Sequence, residues 1–290
     1  MSVAEAGREA LPLPVPTPCV NVCRLDEATG LCLGCARNSE EIAAWAEADA
    51  DFKRRVWGML PPRRARQGMS VYRLPWTADE IGVFAEMTLR ERSGSWTFGA
   101  YGASVSFAIG AGEGAEIADG RDAVTAITAR GAMRLLKHEK TIAIAFGAAA
   151  DPRGPEAIGL VLPRGRVSLR REARLDEAAI CEAHRSQTLL PLTNADNLAA
   201  QLFVRSLDSN PWVGPTSAFA LTKRAMTDGT HAVAETGLGR AEVFMADGAG
   251  DGPEFDFSLD RFAEARELPP PWTLDRVFAL GALFYPRERR

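Results

Sequence analysis

Residues Cys19–Cys35 read CVNVCRLDEATGLCLGC and contain four of the five cysteines of this 290-residue chain. Their spacing is Cys-x3-Cys-x8-Cys-x2-Cys, so two close pairs flank a loop with the turn formers Asp26 and Gly30. Two such pairs can converge on one tetrahedral metal ion. The sequence therefore predicts one metal site, and its ligands are Cys19, Cys23, Cys32 and Cys35.

The second pair reads CLGC, and Gly34 suits a tight turn in which backbone N–H groups face the sulfurs. Four thiolates suit Zn²⁺, but the same ligands can hold an iron–sulfur cluster. Thiolate ligands are compatible with both metals, so they do not distinguish zinc from an iron–sulfur cluster. A third possibility is that the four cysteines are buried or incidental and bind no metal. The expected cofactor is thus one zinc ion or one iron–sulfur cluster. Because four thiolates leave no open coordination position, we expect no catalysis at the cysteines themselves.

The residues after the cysteines predict two short helices that complete a small module. Asn38 and Glu41 have the spacing of a capping box, Asp49 or Asp51 can cap the second helix, and the Pro61–Pro62 pair is expected to end it. About 50 residues are too few for a stable core, so the metal would act as a staple. The predicted organisation is a flexible leader at 1–16, a metal module at 17–67, a linker at 68–75 and a larger domain at 76–290.

Residues 17–66 resemble the small bacterial four-cysteine domain of unknown function labelled a predicted Fe–S protein. The matching positions are Cys19, Cys23, Cys32, Cys35, Arg37, the Glu41–Ile42 pair, Trp45 and the Leu60–Pro61 pair. This resemblance implies a metal site and names no reaction. The second part more loosely resembles uncharacterised bacterial proteins with a TARGA strand and a GRAEVF stretch, here Thr128–Ala132 and Gly239–Phe244.

The composition argues against several classes of protein. The net charge of -4 and the pI near 5.6 are unlike a chain that coats nucleic acid. The first 67 residues carry nine basic and nine acidic side chains, so the basic run on the second helix gives no net positive module, and nucleic acid is not an expected partner. No apolar run reaches the roughly 20 residues of a membrane span, and no secretory signal is recognisable. We therefore expect a cytoplasmic protein with reduced thiols.

The larger domain is predicted to be α+β with a mostly antiparallel sheet, because its strand patterns come in runs. Thr77 and Glu80 predict a capped helix at its start. The stretches AVTAITARGAMRLL and TIAIAFGA, on either side of KHEK, predict a hairpin. The segments 175–190 and 194–207 are expected to be helical.

This larger domain contains no recognisable catalytic motif. Cys181 and His184 share a predicted helix face, but a buried cysteine beside a surface histidine explains them more simply. The glycines in 110–114 are expected to form a hairpin turn and not a dinucleotide site. Three functions stay open: an adaptor whose structural metal module docks a protein partner of unknown identity, an iron–sulfur electron-transfer protein, and an enzyme with its site in 76–290. If the module is separate, metal removal should leave the larger domain folded.

Overall fold

Two antiparallel sheets organise the larger part of the chain in this computed structural model. The structure describes residues 15–164, 180, 188–191, 200–206, 231–244 and 252–287. Within these residues each sheet has seven strands, every strand pairing is antiparallel, and helices are few. The predicted α+β class with a mostly antiparallel sheet is confirmed, and the strands form two sheets.

The described helices are α1 (Ser39–Ala44), α2 (Ala50–Arg66), α3 (Ala78–Glu91) and α4 (Leu259–Ala263). The described strands are β1 (Val71–Arg73), β2 (Gly94–Ala100), β3 (Ala103–Phe107), β4 (Ala115–Asp119), β5 (Ala123–Thr128), β6 (Gly131–Leu136), β7 (Ile142–Phe146), β8 (Ala157–Pro163), β9 (Thr188–Pro191), β10 (Ala200–Ser206), β11 (His231–Thr236), β12 (Gly239–Val243), β13 (Glu254–Phe257) and β14 (Phe278–Pro286). Sheet one has the order β1-β7-β8-β14-β2-β3-β13, and sheet two has the order β4-β5-β6-β12-β11-β10-β9. Strands that are neighbours in a sheet are therefore often far apart in the sequence.

The main core lies where the two sheets face each other. Phe98 and Val105 of sheet one and Met133 and Ala241 of sheet two belong to one buried cluster. Ile81, Ala85 and Leu89 of α3 join the same cluster, spaced as one helix face requires. Alternate residues of each strand point away from this core, so each sheet also has an outer face.

The hairpin predicted around KHEK is wrong. β6 and β7 flank this turn but lie in different sheets, and β6 pairs instead with β5 and β12. The β5–β6 hairpin turns at Thr128, whose hydroxyl accepts hydrogen bonds from the N–H groups of Arg130 and Gly131. Alternation of apolar residues identifies a strand without identifying its partner.

The helices predicted over 175–190 and 194–207 are wrong where the structure describes these residues, because β9 and β10 lie there. Leu202 and Val204 are buried in the main core and alternate with outward-facing residues, which is the period of a strand. Cys181 and His184 lie outside the described residues.

Helix α2 continues through Pro61 and Pro62 to Arg66, so the predicted stop at the prolines is wrong. Proline removes a backbone donor, but it does not end a helix that is held by burial. Leu60 and Arg64, on either side of the prolines, are buried against the module core. Tertiary packing outweighs the local signal here, and α2 is a long helix.

The residues predicted as a linker contain a strand. β1 pairs with β7, with Val71 opposite Phe146, and the N–H of Gly147 donates to the carbonyl of Ser70 at 2.9 Å. Val20 of the cysteine loop is buried in a second apolar cluster on the outer face of sheet one, with Ile144 among its members. The four-cysteine region and the larger domain thus share both a sheet and an apolar contact.

No helix among the residues described above is both long and apolar enough to cross a bilayer.

Candidate metal centre

The four cysteines fall into one outer and one inner pair. Cys19 and Cys23 place their sulfurs 3.8 Å apart, and Cys23 is exposed to solvent. Cys32 and Cys35 are each only 1% exposed. A bridge between Leu25 and Cys32 brings the two arms of the loop together. The predicted ligands are therefore near one another along one short hairpin-like loop.

Backbone N–H groups point at a sulfur in each pair. The N–H of Asn21 donates to Cys19 Sγ at 3.3 Å, and the N–H of Gly34 donates to Cys32 Sγ at 3.4 Å. Both donors stand two residues after the cysteine they contact. Hydrogen bonds of this kind favour the thiolate, which is the form that binds metal.

Gly34 has a steric role besides its donor. A Cβ at this position would lie 2.4 Å from the carbonyl oxygen of Val22, so no side chain fits without a backbone shift. The same carbonyl accepts a hydrogen bond from the Cys32 thiol at 3.2 Å. The turn in the inner pair is thus packed directly on the outer arm of the loop.

The thiols affect one another electrostatically. Repulsion from Cys19 is the largest cause of a raised pKa at Cys23, and Cys32 and Cys35 raise it further. Burial raises the pKa of Cys35, while a hydrogen bond from Arg37 Nε to its sulfur, at 3.4 Å, acts in the opposite direction. If Cys19 and Cys23 are both ionised at a separation of 3.8 Å they repel each other, and a cation beside them would favour the ionised forms.

The structure does not itself assemble a coordination sphere. Among the residues it describes, no group of three or more His, Cys, Asp or Glu side chains is placed to hold a metal ion. It brings Cys19 and Cys23 into contact and leaves the four-ligand site a prediction. The donor set fits a soft metal ion in its chemistry, with four sulfurs, N–H donors to two of them and a guanidinium on a third.

Buried arginines surround this loop. Arg37 and Arg64 are each 4% exposed, and Arg73 of β1 has a solvent-inaccessible Nε. Burial lowers the pKa of Arg64 and of Arg73 to about 10. Tyr72 and then Cys35 raise the pKa of Arg64, and Cys19 raises that of Arg73. Positive charge lies beside the inner pair through Arg37, whose Nε contacts Cys35 Sγ.

Other charged residues of the module are paired locally. Arg63 contacts Glu41 at 2.7 Å, and Arg54 contacts Asp51 at 2.6 Å. Asp26 accepts a hydrogen bond from the Thr29 hydroxyl at 2.6 Å, as a turn residue does. Part of the basic run on α2 is therefore compensated within the module.

A buried charge network on the outer face of sheet two was missed by sequence reasoning. Glu242 is 0% exposed and binds Arg205 through two contacts, of 3.1 and 3.2 Å. Arg240 lies 3.5 Å from Glu242 and also contacts Glu235, whose pKa is raised by burial. The available signal was the alternation of Arg240 and Glu242 with apolar residues in the stretch GRAEV. This alternation identifies the outer face of a strand, but it does not show that the charges on that face are buried.

The glycine-rich segment 110–114 connects β3 to β4, which lie in different sheets, so it is a crossing and not a hairpin turn. Arg92 Nη1 donates to the carbonyl of Gly110 at 2.8 Å, and Arg130 contacts Glu113 at 2.9 Å. Polar groups of this loop thus form hydrogen bonds and an ion pair with arginine side chains of the protein itself.

Two crevices flank the C-terminal part of sheet one. One has a volume of about 970 Å³ and is bordered by Arg164, Glu267, Trp272 and Asp275. The other, of about 450 Å³, lies beside the cysteine loop and is bordered by Val22, Gly34 and other residues. The first is lined partly by the Arg164–Glu267 ion pair, so these two charged groups are engaged with each other.

Two family profiles match this chain in separate regions. Residues 17–64 match a protein of unknown function (DUF1289), and residues 81–256 match a family of unknown function (DUF6925), which is more than half of the chain. No curated protein and no solved structure matches it. The first match covers the four cysteines and most of α2.

Proposed function

The chain belongs to the family of unknown function (DUF6925), and we propose that it is a metal-binding protein whose N-terminal module holds one ion through Cys19, Cys23, Cys32 and Cys35. The ion is structural in this proposal. It ties the two arms of the cysteine loop together and, through them, orders the module.

The contact between Cys19 and Cys23 carries this proposal. Two sulfurs bound to one tetrahedral zinc at about 2.3 Å lie about 3.8 Å apart. The sulfurs of this pair are 3.8 Å apart, and each pair has a backbone N–H aimed at one sulfur. The outer pair thus has the sulfur separation that a mononuclear zinc centre requires.

A structural role follows from the ligand set. A catalytic zinc keeps one position open for water or substrate, and four thiolates fill all positions. Among the described residues, no carboxylate or histidine forms a hydrogen bond with a cysteine sulfur, and Asp26 is held in its own turn by Thr29. The adaptor role, with a protein partner of unknown identity, stays a prediction from the sequence.

The test is elemental analysis of the full chain purified without oxygen. We expect about one zinc per chain and no visible colour, because Zn²⁺ has a filled d shell. Cys32→Ser should lose the metal, whereas Cys181→Ser, outside the ligand set, should keep it. A protein that holds no metal under these conditions would overturn the proposal.

The same experiment separates zinc from the iron–sulfur alternative. An iron–sulfur cluster gives a brown protein that bleaches with dithionite and contains iron and sulfide. That result would retain the four ligands and replace the structural role by electron transfer.

A further inference from the structure

Three arginines from different parts of the fold near the four-cysteine loop have buried guanidinium nitrogens. Arg37 follows the last cysteine, Arg64 belongs to α2, and Arg73 belongs to β1 at the edge of sheet one. Four of their buried nitrogens have no hydrogen-bond partner in the described structure, and these are Arg37 Nη1, Arg64 Nε and Nη2, and Arg73 Nε. Such an accumulation of unsatisfied buried donors calls for an anion.

A buried cation without a counter-charge is expensive. Removing one partner of a buried ion pair is strongly destabilising, because the remaining charge stays uncompensated. Within the described part of the chain, no carboxylate forms an ion pair with Arg37, Arg64 or Arg73, although neighbouring Arg63 has Glu41. Arg64 follows Leu60 by one turn of α2, and Leu60 packs in one cluster with Ala36 beside Cys35, while Val20 beside Cys19 packs with Ile144, the residue opposite Arg73.

Aromatic stacking accounts for part of this burial only. The Arg64 guanidinium lies 5.1 Å from the ring centroids of Trp57 and Tyr72, and that of Arg37 lies 4.7 Å from the ring of Trp45. A cation over a ring is stabilised by the negative face of the ring, but its in-plane N–H groups still need acceptors. The stacking therefore fixes the planes of these groups and leaves their edges free for another ligand.

We propose that Arg37, Arg64 and Arg73 are positioning residues that supply the counter-charge of a dianionic metal–thiolate centre on the four cysteines. The inference rests on the proposed function. Four thiolates and one divalent ion carry a net charge of minus two, which an otherwise uncompensated cluster of guanidinium groups stabilises.

Arg37 already displays the contact that this role requires. Its Nε donates to Cys35 Sγ at 3.4 Å, and its Nη1 is the buried donor left over. N–H groups on thiolate sulfur withdraw charge from the ligand and orient it, so they tune the metal as well as hold it. The same argument applies to an iron–sulfur cluster, whose potential depends on net charge and on hydrogen bonds to sulfur.

Arg73 gives the centre a link to the larger domain. It stands in β1, opposite Ile144 of β7, and Ile144 packs with Val20, the neighbour of Cys19. A metal centre that uses Arg73 is therefore completed by sheet one and not by the module alone.

The test compares charge-removing variants of the zinc-loaded full chain. Arg64→Met and Arg73→Met keep much of the side-chain volume and remove the charge. Loss of an outer partner of a metal ligand typically weakens affinity by about 10- to 100-fold. We expect losses in this range in competition with a chromophoric zinc chelator, and a smaller loss for Arg64→Lys and Arg73→Lys, which keep the charge.

Arg54→Met is the matched control, because Arg54 is on the same helix, is exposed and pairs with Asp51. It should change the affinity less than threefold. The absorption spectrum of the cobalt(II)-loaded protein adds a second measurement, which a change in side-chain packing alone would not alter. The sulfur-to-cobalt charge-transfer band should shift to lower energy in the Met variants, because their thiolates lose a compensating cation.

The outcomes separate this inference from the proposed function. Wild-type protein that binds no metal overturns both. Wild-type protein that binds zinc, with Arg64→Met and Arg73→Met unchanged within threefold, overturns only the role of the arginines. Where both variants fold, a Lys variant that binds zinc more tightly than its Met partner supports the role, and equal losses in the Lys and Met variants overturn it. If a Met variant does not fold, as judged by circular dichroism, the neutral variants Arg64→Gln and Arg73→Gln replace it in this comparison.

Discussion

Gly34 is where the cysteine loop comes closest to its own backbone. The absent side chain lets its N–H reach Cys32 Sγ and lets the inner turn pack on the carbonyl of Val22. Spacing in the sequence identified Gly34 as a turn residue, but the contact with Val22 depends on how the two arms of the loop meet. The two arms of the loop that carry the cysteine pairs can therefore pack closely only because residue 34 has no side chain.

We expect Gly34→Ala to weaken metal binding at least tenfold, since the new Cβ would force Val22 and the inner pair apart. Gly58→Ala is the control, because Gly58 lies in α2 with open space around its Cβ position. That change should leave metal affinity unaltered and stabilise the helix by about 0.5–1 kcal/mol. Chelator competition and thermal melts measure both effects, and equal affinities would contradict the role of Gly34.

Glu113 is a second residue with a measurable role. Arg130 donates to it through two nitrogens, at 2.9 and 3.2 Å, and these hydrogen bonds are the largest cause of its lowered pKa. The unfolded chain protonates this carboxyl near its ordinary value of 4.5, while the folded chain keeps it ionised to lower pH. Its contribution to stability is therefore full above pH 4.5 and is lost as the pH falls through the lowered pKa.

Glu113→Gln should consequently destabilise the protein near neutral pH, and the difference from wild type should shrink as the pH falls below 4.5. Urea unfolding at several pH values measures this difference. Exposed Glu116 on β4 offers the control, and Glu116→Gln should show little effect at any pH. A Glu113→Gln penalty that stays constant with pH would show that the ion pair is not its source.

At the scale of elements, the outer face of sheet two is joined across its strands by charge. Arg205 of β10 contacts Glu242 of β12, although β11 lies between these two strands in the sheet. Arg240 of β12 extends the contact to Glu235 of β11. All three strands are thus tied by one network in which each charge has an opposite partner. Such a network fixes register, because a slip by one residue would bury the charges among apolar neighbours.

Glu242→Gln should lower the free energy of unfolding by about 3–5 kcal/mol, because it removes the negative member of the buried ion pair with Arg205. The exposed Glu116→Gln should change it by less than about 0.5 kcal/mol. Chemical denaturation followed by circular dichroism measures both values. A loss below about 1 kcal/mol for Glu242→Gln would mean that Arg205 has another source of compensation.

Elements with local signals could be predicted from the sequence. Asn38 with Glu41 and Thr77 with Glu80 form capping boxes, because a cap is made by residues three apart. Strand partners could not be predicted, since β6 pairs with β12 across about a hundred residues. The four cysteines stood out by spacing, whereas the arginines around them come from three elements and carry no common motif.

At the scale of the whole molecule, the cysteine module is joined to sheet one. β1 pairs with β7, Val20 packs with Ile144, and Asn21 Nδ2 donates to Asp275 at 3.2 Å. The sequence suggested that metal removal would leave the larger domain folded. These contacts favour a different expectation, in which loss of the metal loosens the edge of sheet one as well.

Hydrogen exchange with mass spectrometry can follow this coupling peptide by peptide. After chelation we expect faster exchange in the module and in β1 and β7, since the strands lose the support of the cysteine loop. β4 and β5, which lie in sheet two, serve as the internal control and should stay protected. Unchanged protection of β1 and β7 would mean that the two parts unfold independently.

The position of β14 also constrains how the protein can be made. This strand lies between β8 and β2 in sheet one, although both precede it in the chain by more than a hundred residues. A chain leaving the ribosome exposes the facing edges of β2 and β8 until β14 has been synthesised and inserted. Sheet one is therefore completed by a late event in synthesis, and during that interval its two open edges are the surfaces that a chaperone would have to shield.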